Sequence, residues 1–169
     1  MKTDEAREGS IEAYGAFAIG GRLRRLSDRI DRDAKSIYEK IGVQFEQRWF
    51  PVFNCLRAGE ALNVTEIADR LGLSHVSVSV IRKSLENAEL VTSKVDENDG
   101  RRSVLTLTAK GKALSEELGP LFSALDLAAA ELNKEAGNAI TAIARLEKAL
   151  DRRSISARTA DFLEQNQTR

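Results

Sequence analysis

The sequence predicts a mainly α-helical fold with one small β-hairpin (α+β), and residues 64–111 carry the observations behind this prediction. They begin with a short amphipathic helix, a turn that contains a glycine, and a second helix opened by a serine cap. An alternating hairpin with a basic tip follows. This order of elements predicts a winged helix-turn-helix.

Length and composition agree with a helical domain. A chain of 169 residues is long enough for one compact domain, and 31% charged residues with only two prolines is typical of helix-rich proteins. Lysine plus arginine and aspartate plus glutamate number 26 each, so the net charge is zero. Net charge therefore gives no support for nucleic-acid binding, although only the contacting surface must be positive.

The chain shows no signal for a membrane or for secretion. No apolar run approaches the roughly 20 residues that span a bilayer, and the polar N-terminus lacks the apolar core of a secretory signal. The single cysteine, Cys55, excludes an internal disulfide, and no metal cluster is indicated. We expect a cytoplasmic protein without a cofactor.

The N-terminal half predicts an arm and two helices. Residues 1–18 are polar and are expected to form a flexible arm, whereas residues 21–41 repeat apolar side chains at helical spacing. This helix should end near Gly42. Residues 45–57 form an aromatic-rich segment in which Pro51 lies in an early helical turn or at a bend.

The next two helices form the helix-turn-helix. Residues 64–71 predict a helix capped by Thr65 or Asn63. After Gly72, Ser74 caps a segment whose residues 75–81 alternate with period two, a pattern that favours a strand. Because the preceding helix requires a partner and the apolar residues continue at helical spacing, we predict a helix through Asn87 instead.

The remaining chain predicts the hairpin and the C-terminal helices. Strands at 91–95 and 103–108 flank a polar tip at 96–102, and Thr108 caps one long helix that extends beyond Leu125. Asn133 caps a last helix, and residues after Arg152 form either a trailing helix or a tail.

One face of the helix after Ser74 suits a DNA groove. Serine and histidine side chains bond base edges or phosphates, a valine methyl can contact a thymine methyl, and the helix N-terminus offers free N–H groups to a phosphate. The alternative is an ordinary solvent-facing helix. The candidate DNA-binding residues here are Ser74, His75, Val76, Ser77, Ser79 and Lys83.

The hairpin tip adds a second candidate contact. The Asp99 carboxylate can hold the Arg101 guanidinium, and an arginine oriented in this way can enter a narrow minor groove. Lys94 and Arg102 would contact phosphates of the DNA backbone. The alternative is a solvated hairpin whose charges serve solubility.

Three stretches resemble the MarR family of winged-helix transcriptional regulators. They are residues 64–74, 85–91 and 96–111, of which the last is the most specific; a weaker likeness covers about 23–150. The resemblance implies an obligate homodimer with a helical dimerisation domain formed by the N- and C-terminal helices. Residues 19–44 and 112–153 would form the dimerisation domain, and residues 45–111 would form the DNA-binding domain. A polar tail or short helix at 154–169 would follow.

The resemblance also implies that the protein binds double-stranded DNA at a pseudo-palindromic operator and acts as a repressor. Many family members bind a small, often aromatic and anionic effector. The candidate pocket residues are Tyr38, Phe45, Arg48, Trp49 and Phe53, although an aromatic cluster is more often core than pocket. Cys55 is expected to be a buried structural thiol.

Of two other functions, the sequence is compatible with one and argues against the other. A winged helix that binds a protein, without a specific DNA target, is compatible with the zero net charge. An enzyme is not expected, because the chain offers no Ser/His/Asp order, phosphate-binding glycine loop or paired-acid cleft.

Overall fold

The computed structural model describes residues 11–95 and 102–167. They divide into two compact units, one up to Ser115 and one from Glu116 onward. The described part of the first unit begins with 3-10 structure over Ile11–Ala18, interrupted at Gly15, in the segment expected to be an arm. Helix α1 (Ile19–Lys40) follows, then a 3-10 turn (Gln47–Trp49) and α2 (Phe50–Arg57), in which Pro51 lies in the first turn as expected.

The helix-turn-helix and the hairpin complete the first unit. Helices α3 (Val64–Leu71) and α4 (His75–Asn87) precede the antiparallel strands β1 (Val91–Val95) and β2 (Ser103–Leu107). Leu62, just before α3, exchanges two backbone hydrogen bonds of 2.8 and 3.2 Å with Leu105 on β2. The middle of β2 is therefore held beside the start of α3, and the predicted mainly helical winged fold is confirmed.

The prediction of one long helix after Thr108 is wrong, because two helices occupy this part of the chain. Only Leu118 separates α5 (Ala109–Glu117) from α6 (Gly119–Glu135). Pro120 has no N–H and its ring would clash with the carbonyl four residues earlier, so it is tolerated only in the first turn of a new helix. The sequence pattern of leucines continued across this break and concealed it.

Two further helices complete the second unit. The N-cap of α7 (Ala139–Arg152) is Asn138 and not Asn133 as predicted, because Asn133 lies in the last turn of α6. The Asn133 side chain still accepts the Ile140 N–H at 3.0 Å. Helix α8 (Ile155–Gln167) follows, so the end of the described chain is a helix rather than a tail. The Arg153–Asp161 ion pair and a 2.9 Å hydrogen bond from Arg158 to the Ala149 carbonyl hold α8 to α7.

The core of the first unit lies between its helices and the hairpin. Its largest fully buried side chains come from the end of α1, from α2, α3, α4 and β2, and from the position just before β1: Tyr38, Val52, Phe53, Leu56, Ile67, Val78, Leu85, Leu105 and Leu90. By contrast, α7 buries no residue, and the early part of α1 exposes its leucines. No helix within the described ranges is long and apolar enough to cross a membrane.

Candidate nucleic-acid interface

The turn between α3 and α4 follows from local capping rules. Asn63 and Glu66 form a reciprocal capping box with hydrogen bonds of 2.8 and 3.0 Å at the start of α3. Gly72 ends that helix at a φ of 62°, a left-handed conformation suited to glycine. The Ser74 hydroxyl then accepts the Ser77 N–H at 3.0 Å and starts α4. The predicted helix after Ser74 is therefore confirmed over its local strand propensity.

Helix α4 has one buried face and one exposed face. Val78 and Leu85 are fully buried, whereas the opposite face is open to solvent. Of the predicted contacts, five are exposed and Ser79 is half-buried; the exposed ones are Ser74, His75, Val76, Ser77 and Lys83. Val80, which helical spacing places on the same face as Val76, is also exposed.

The hairpin presents part of the predicted wing. Lys94 on β1 and Arg102, just before β2, are both exposed. Asp99 and Arg101 lie outside the described residues. The described part of the hairpin therefore offers two exposed cations near its tip.

A side-chain link joins α4 to the hairpin. The Ser93 hydroxyl on β1 donates to the Glu86 carboxylate on α4, and the same carboxylate lies 3.9 Å from Arg82 Nε. Glu86 and Arg82 side chains are each only 29% exposed. Sequence reasoning missed this link because its residues belong to different elements and form no local pattern.

The root of the hairpin is closely packed against α5. Thr108 Oγ1 accepts the Gly111 N–H at 3.0 Å and donates to the Glu89 carbonyl at 2.6 Å. A Cβ at Gly111 would lie 2.1 Å from the Leu90 carbonyl oxygen. The Thr-x-x-Gly sequence therefore combines a helix cap with a position where only glycine fits.

Four of the five predicted effector residues form a buried aromatic cluster. The Phe45 ring centroid lies 5.2 Å from that of Tyr38, 5.6 Å from Trp49 and 5.3 Å from Phe53. All four rings are buried. In contrast, the Arg48 side chain is 61% exposed, with its Nε 2.5 Å from a Glu46 carboxylate oxygen. The structure thus brings the four aromatic residues together as core and leaves Arg48 at the surface.

Two polar contacts connect this aromatic cluster to its surroundings. The Tyr38 hydroxyl donates to Gln47 Oε1 at 2.8 Å, and burial raises the pKa of Tyr38 to about 12. Trp49 Nε1 donates to Ser84 Oγ on α4 at 3.1 Å. The cluster therefore contacts the same helix that carries the candidate DNA-binding face.

Cys55 is half-buried rather than fully buried as expected. Burial raises the pKa of its thiol, while nearby Arg70 lowers it to a smaller extent. A raised pKa disfavours the thiolate, which is the reactive form. The position suits packing better than redox chemistry.

These elements define a winged helix-turn-helix whose second helix, α4, has one exposed face. Residues 42–102 match the model of the MarR family, which confirms the resemblance over the helix-turn-helix and most of the hairpin. Members of that family are transcriptional regulators and not enzymes. No curated protein matches the chain.

Solved structures show the same fold. The Staphylococcus aureus MepR–DNA complex is 21% identical (TM-score 0.62; 76% of this chain and 94% of that chain are covered). The Streptomyces coelicolor regulator PcaV, in complex with its natural ligand, is 22% identical (TM-score 0.60; 78% and 92%). A MarR/EmrR family regulator from Acinetobacter sp. ADP1 is 19% identical (TM-score 0.64; 85% and 99%).

Proposed function

We propose that the protein is a transcriptional repressor that binds a pseudo-palindromic operator as a homodimer. The observation that supports this most is the exposed face of α4, with short polar and β-branched side chains opposite the buried stripe. Such a helix fits the major groove, and the exposed Lys94 and Arg102 would lie along the phosphates beside it. The similarity to MepR, which was solved as a DNA complex, points the same way.

Exposed apolar helices support the homodimer. The first part of α1 and most of α7 carry leucine and isoleucine side chains that the chain itself leaves exposed. An exposed apolar stripe of this kind, on either helix, marks an interaction site. A two-fold dimer would place two α4 helices about one DNA turn, roughly 34–36 Å, apart.

The experiment is selection of duplex DNA from a random pool by the purified protein at moderate salt. We expect an enriched palindrome with half-sites about 10 base pairs apart. Lys94→Ala should weaken binding to all sequences and reduce the slope of log affinity against log salt by about 1. Lys134→Ala on α6 is the matched control and should leave the slope unchanged. A folded protein that enriches no sequence would favour a protein partner, which the zero net charge permits.

We also propose that a small aromatic effector lowers DNA affinity by opening the aromatic cluster. Trp49 belongs to that cluster and donates a hydrogen bond to Ser84 on α4, so a ligand that displaces its ring acts directly on the recognition helix. Such a ligand would favour a conformation that binds DNA less well. PcaV, solved with its natural ligand, is similar over 78% of this chain.

Trp49 makes this second proposal measurable because it is the only tryptophan. In a screen of aromatic carboxylates, an effector should shift Trp49 emission and weaken DNA binding over the same concentration range. Trp49→Phe is the control that removes the signal and the hydrogen bond together. Compounds that weaken DNA binding without any change in emission would place the effector elsewhere.

A further inference from the structure

Two valines occupy the centre of the exposed face of α4. Val76 is 74% exposed and Val80 is 58% exposed. At about 100° per residue they point away from the buried Val78 and Leu85, and Lys83 continues the same line one turn later. The most outward part of the helix is therefore apolar and ends in a cation.

Nothing in the fold of α4 itself favours valine at these positions. β-Branched residues lower helix stability relative to alanine, and neither side chain contributes to the buried core. The neighbours His75 and Ser77 are polar and exposed. An apolar pair inside a polar face is suited to a ligand that presents apolar groups between hydrogen-bonding ones. The major groove does this where thymine places its 5-methyl group.

We propose that Val76 and Val80 each contact a thymine methyl, and that these two thymines lie within three consecutive base pairs of each half-site. This inference rests on the proposed DNA-binding function. Four residues advance about 6 Å along a helix, close to two base-pair steps of about 3.4 Å. Lys83 would bind the phosphate that sets the position of the helix along the groove.

The test replaces single thymines of the selected operator with deoxyuridine. This change removes only the 5-methyl group and keeps base pairing and the O4 acceptor. We expect affinity to fall about fourfold for each contacted methyl removed, and to stay unchanged at other thymines. Val76→Ala should abolish the sensitivity at one thymine and Val80→Ala at the other.

Lys83→Ala is the matched control on the same face. It should weaken binding to the normal and the substituted operator by the same factor, so the sensitivity to deoxyuridine remains. Circular dichroism would verify that the alanine variants are folded, as the higher helix propensity of alanine leads us to expect.

The outcomes separate this inference from the function it rests on. An enriched operator whose affinity is unaffected by deoxyuridine at every thymine would overturn the methyl contacts and leave DNA binding intact. Equal deoxyuridine sensitivity in the parent and in both alanine variants would also overturn them. If no duplex is enriched, both proposals fail, and the valine pair becomes a contact for a protein partner.

Discussion

Glu89 follows α4 with a φ of 60°, a left-handed conformation that only glycine adopts without strain. Its carboxylate lies 3.1 Å from Lys110 Nζ, but the two side chains are 80% and 60% exposed, so the ion pair contributes little. We expect Glu89→Gly to raise the free energy of unfolding by about 0.5–1 kcal/mol, since relief of strain exceeds the added chain entropy. Urea denaturation would measure it.

Glu89→Gln is the matched control for this substitution. It removes the charge and keeps the left-handed backbone, so we expect a change smaller than about 0.5 kcal/mol. A glycine variant less stable than the parent, beside an unchanged glutamine variant, would contradict the explanation by backbone strain.

The capping residues Ser74 and Thr108 could be predicted from the sequence, whereas the left-handed conformation of Glu89 could not. Ser74 and Thr108 cap the helices that the sequence assigned to them, because a cap depends on one side chain and an N–H three residues later. Glutamate favours helix interiors, and the residue expected in a left-handed turn is glycine or asparagine. No property of the Glu89 side chain therefore indicates its conformation.

At the scale of elements, Gly111 sets how closely α5 approaches the hairpin. A Cβ there would lie 2.1 Å from the backbone oxygen of Leu90, an atom that cannot rotate away. We expect Gly111→Ala to lower the free energy of unfolding by at least about 2 kcal/mol, because the hairpin root must shift. Gly119→Ala is the control, since a Cβ at that helical glycine meets nothing within 4 Å. Thermal denaturation would compare the stabilities of the two variants. If they were equal, the close approach of α5 to the hairpin would be unimportant for stability.

The link between α4 and β1 leads to a prediction about DNA binding. Without its hydroxyl, Ser93→Ala loses the hydrogen bond to Glu86 and with it one restraint on the hairpin beside α4. We expect operator affinity to fall about fivefold while stability falls by about 1 kcal/mol, the usual contribution of one hydrogen bond. Fluorescence anisotropy with labelled operator would measure the affinity.

Glu86→Gln separates the hydrogen bond from the charge. It keeps an acceptor for Ser93 but loses the attraction to Arg82, so it should retain more affinity than Ser93→Ala. If the alanine variant binds the operator as the parent does, the link does not position the hairpin for DNA.

The elements could be predicted where periodicity and caps agree. Helix α4 was predicted against its own alternation because α3 and the turn required a helix after them. The break before α6 was missed because its leucine spacing runs on through Pro120. The Glu86–Ser93 link could not be predicted, because it depends on the packing of a strand against a helix.

For the whole molecule, the sequence revealed apolar stripes but not what covers them. The stripe on α1 is buried at Ala34 and Tyr38 and exposed at Leu23, Leu26 and Ile30. A helical pattern shows only that a face needs covering. At the exposed end of α1 none of the residues that the structure describes covers the stripe, which is the physical reason to propose a second copy.

The homodimer proposal predicts that a single copy tolerates a charge added to the α1 stripe, whereas the dimer does not. Leu26 is 50% exposed in the single chain, so Leu26→Glu should leave the fold of one copy nearly unchanged. In a dimer the carboxylate would be buried without a partner, which costs several kcal/mol. We therefore expect the parent to sediment at twice the chain mass of 18.6 kDa and the variant at that mass. Operator affinity should fall by more than about 100-fold, because one half-site is lost.

Arg32→Glu on the opposite face of α1 is the matched control, since Arg32 is exposed and lies away from the apolar stripe. It should leave the dimer and operator affinity intact. A Leu26→Glu variant that stays dimeric with a native circular dichroism spectrum would show that the α1 stripe is not the interface. Loss of operator affinity in a variant that remains dimeric would instead show that α1 acts on DNA binding within one copy.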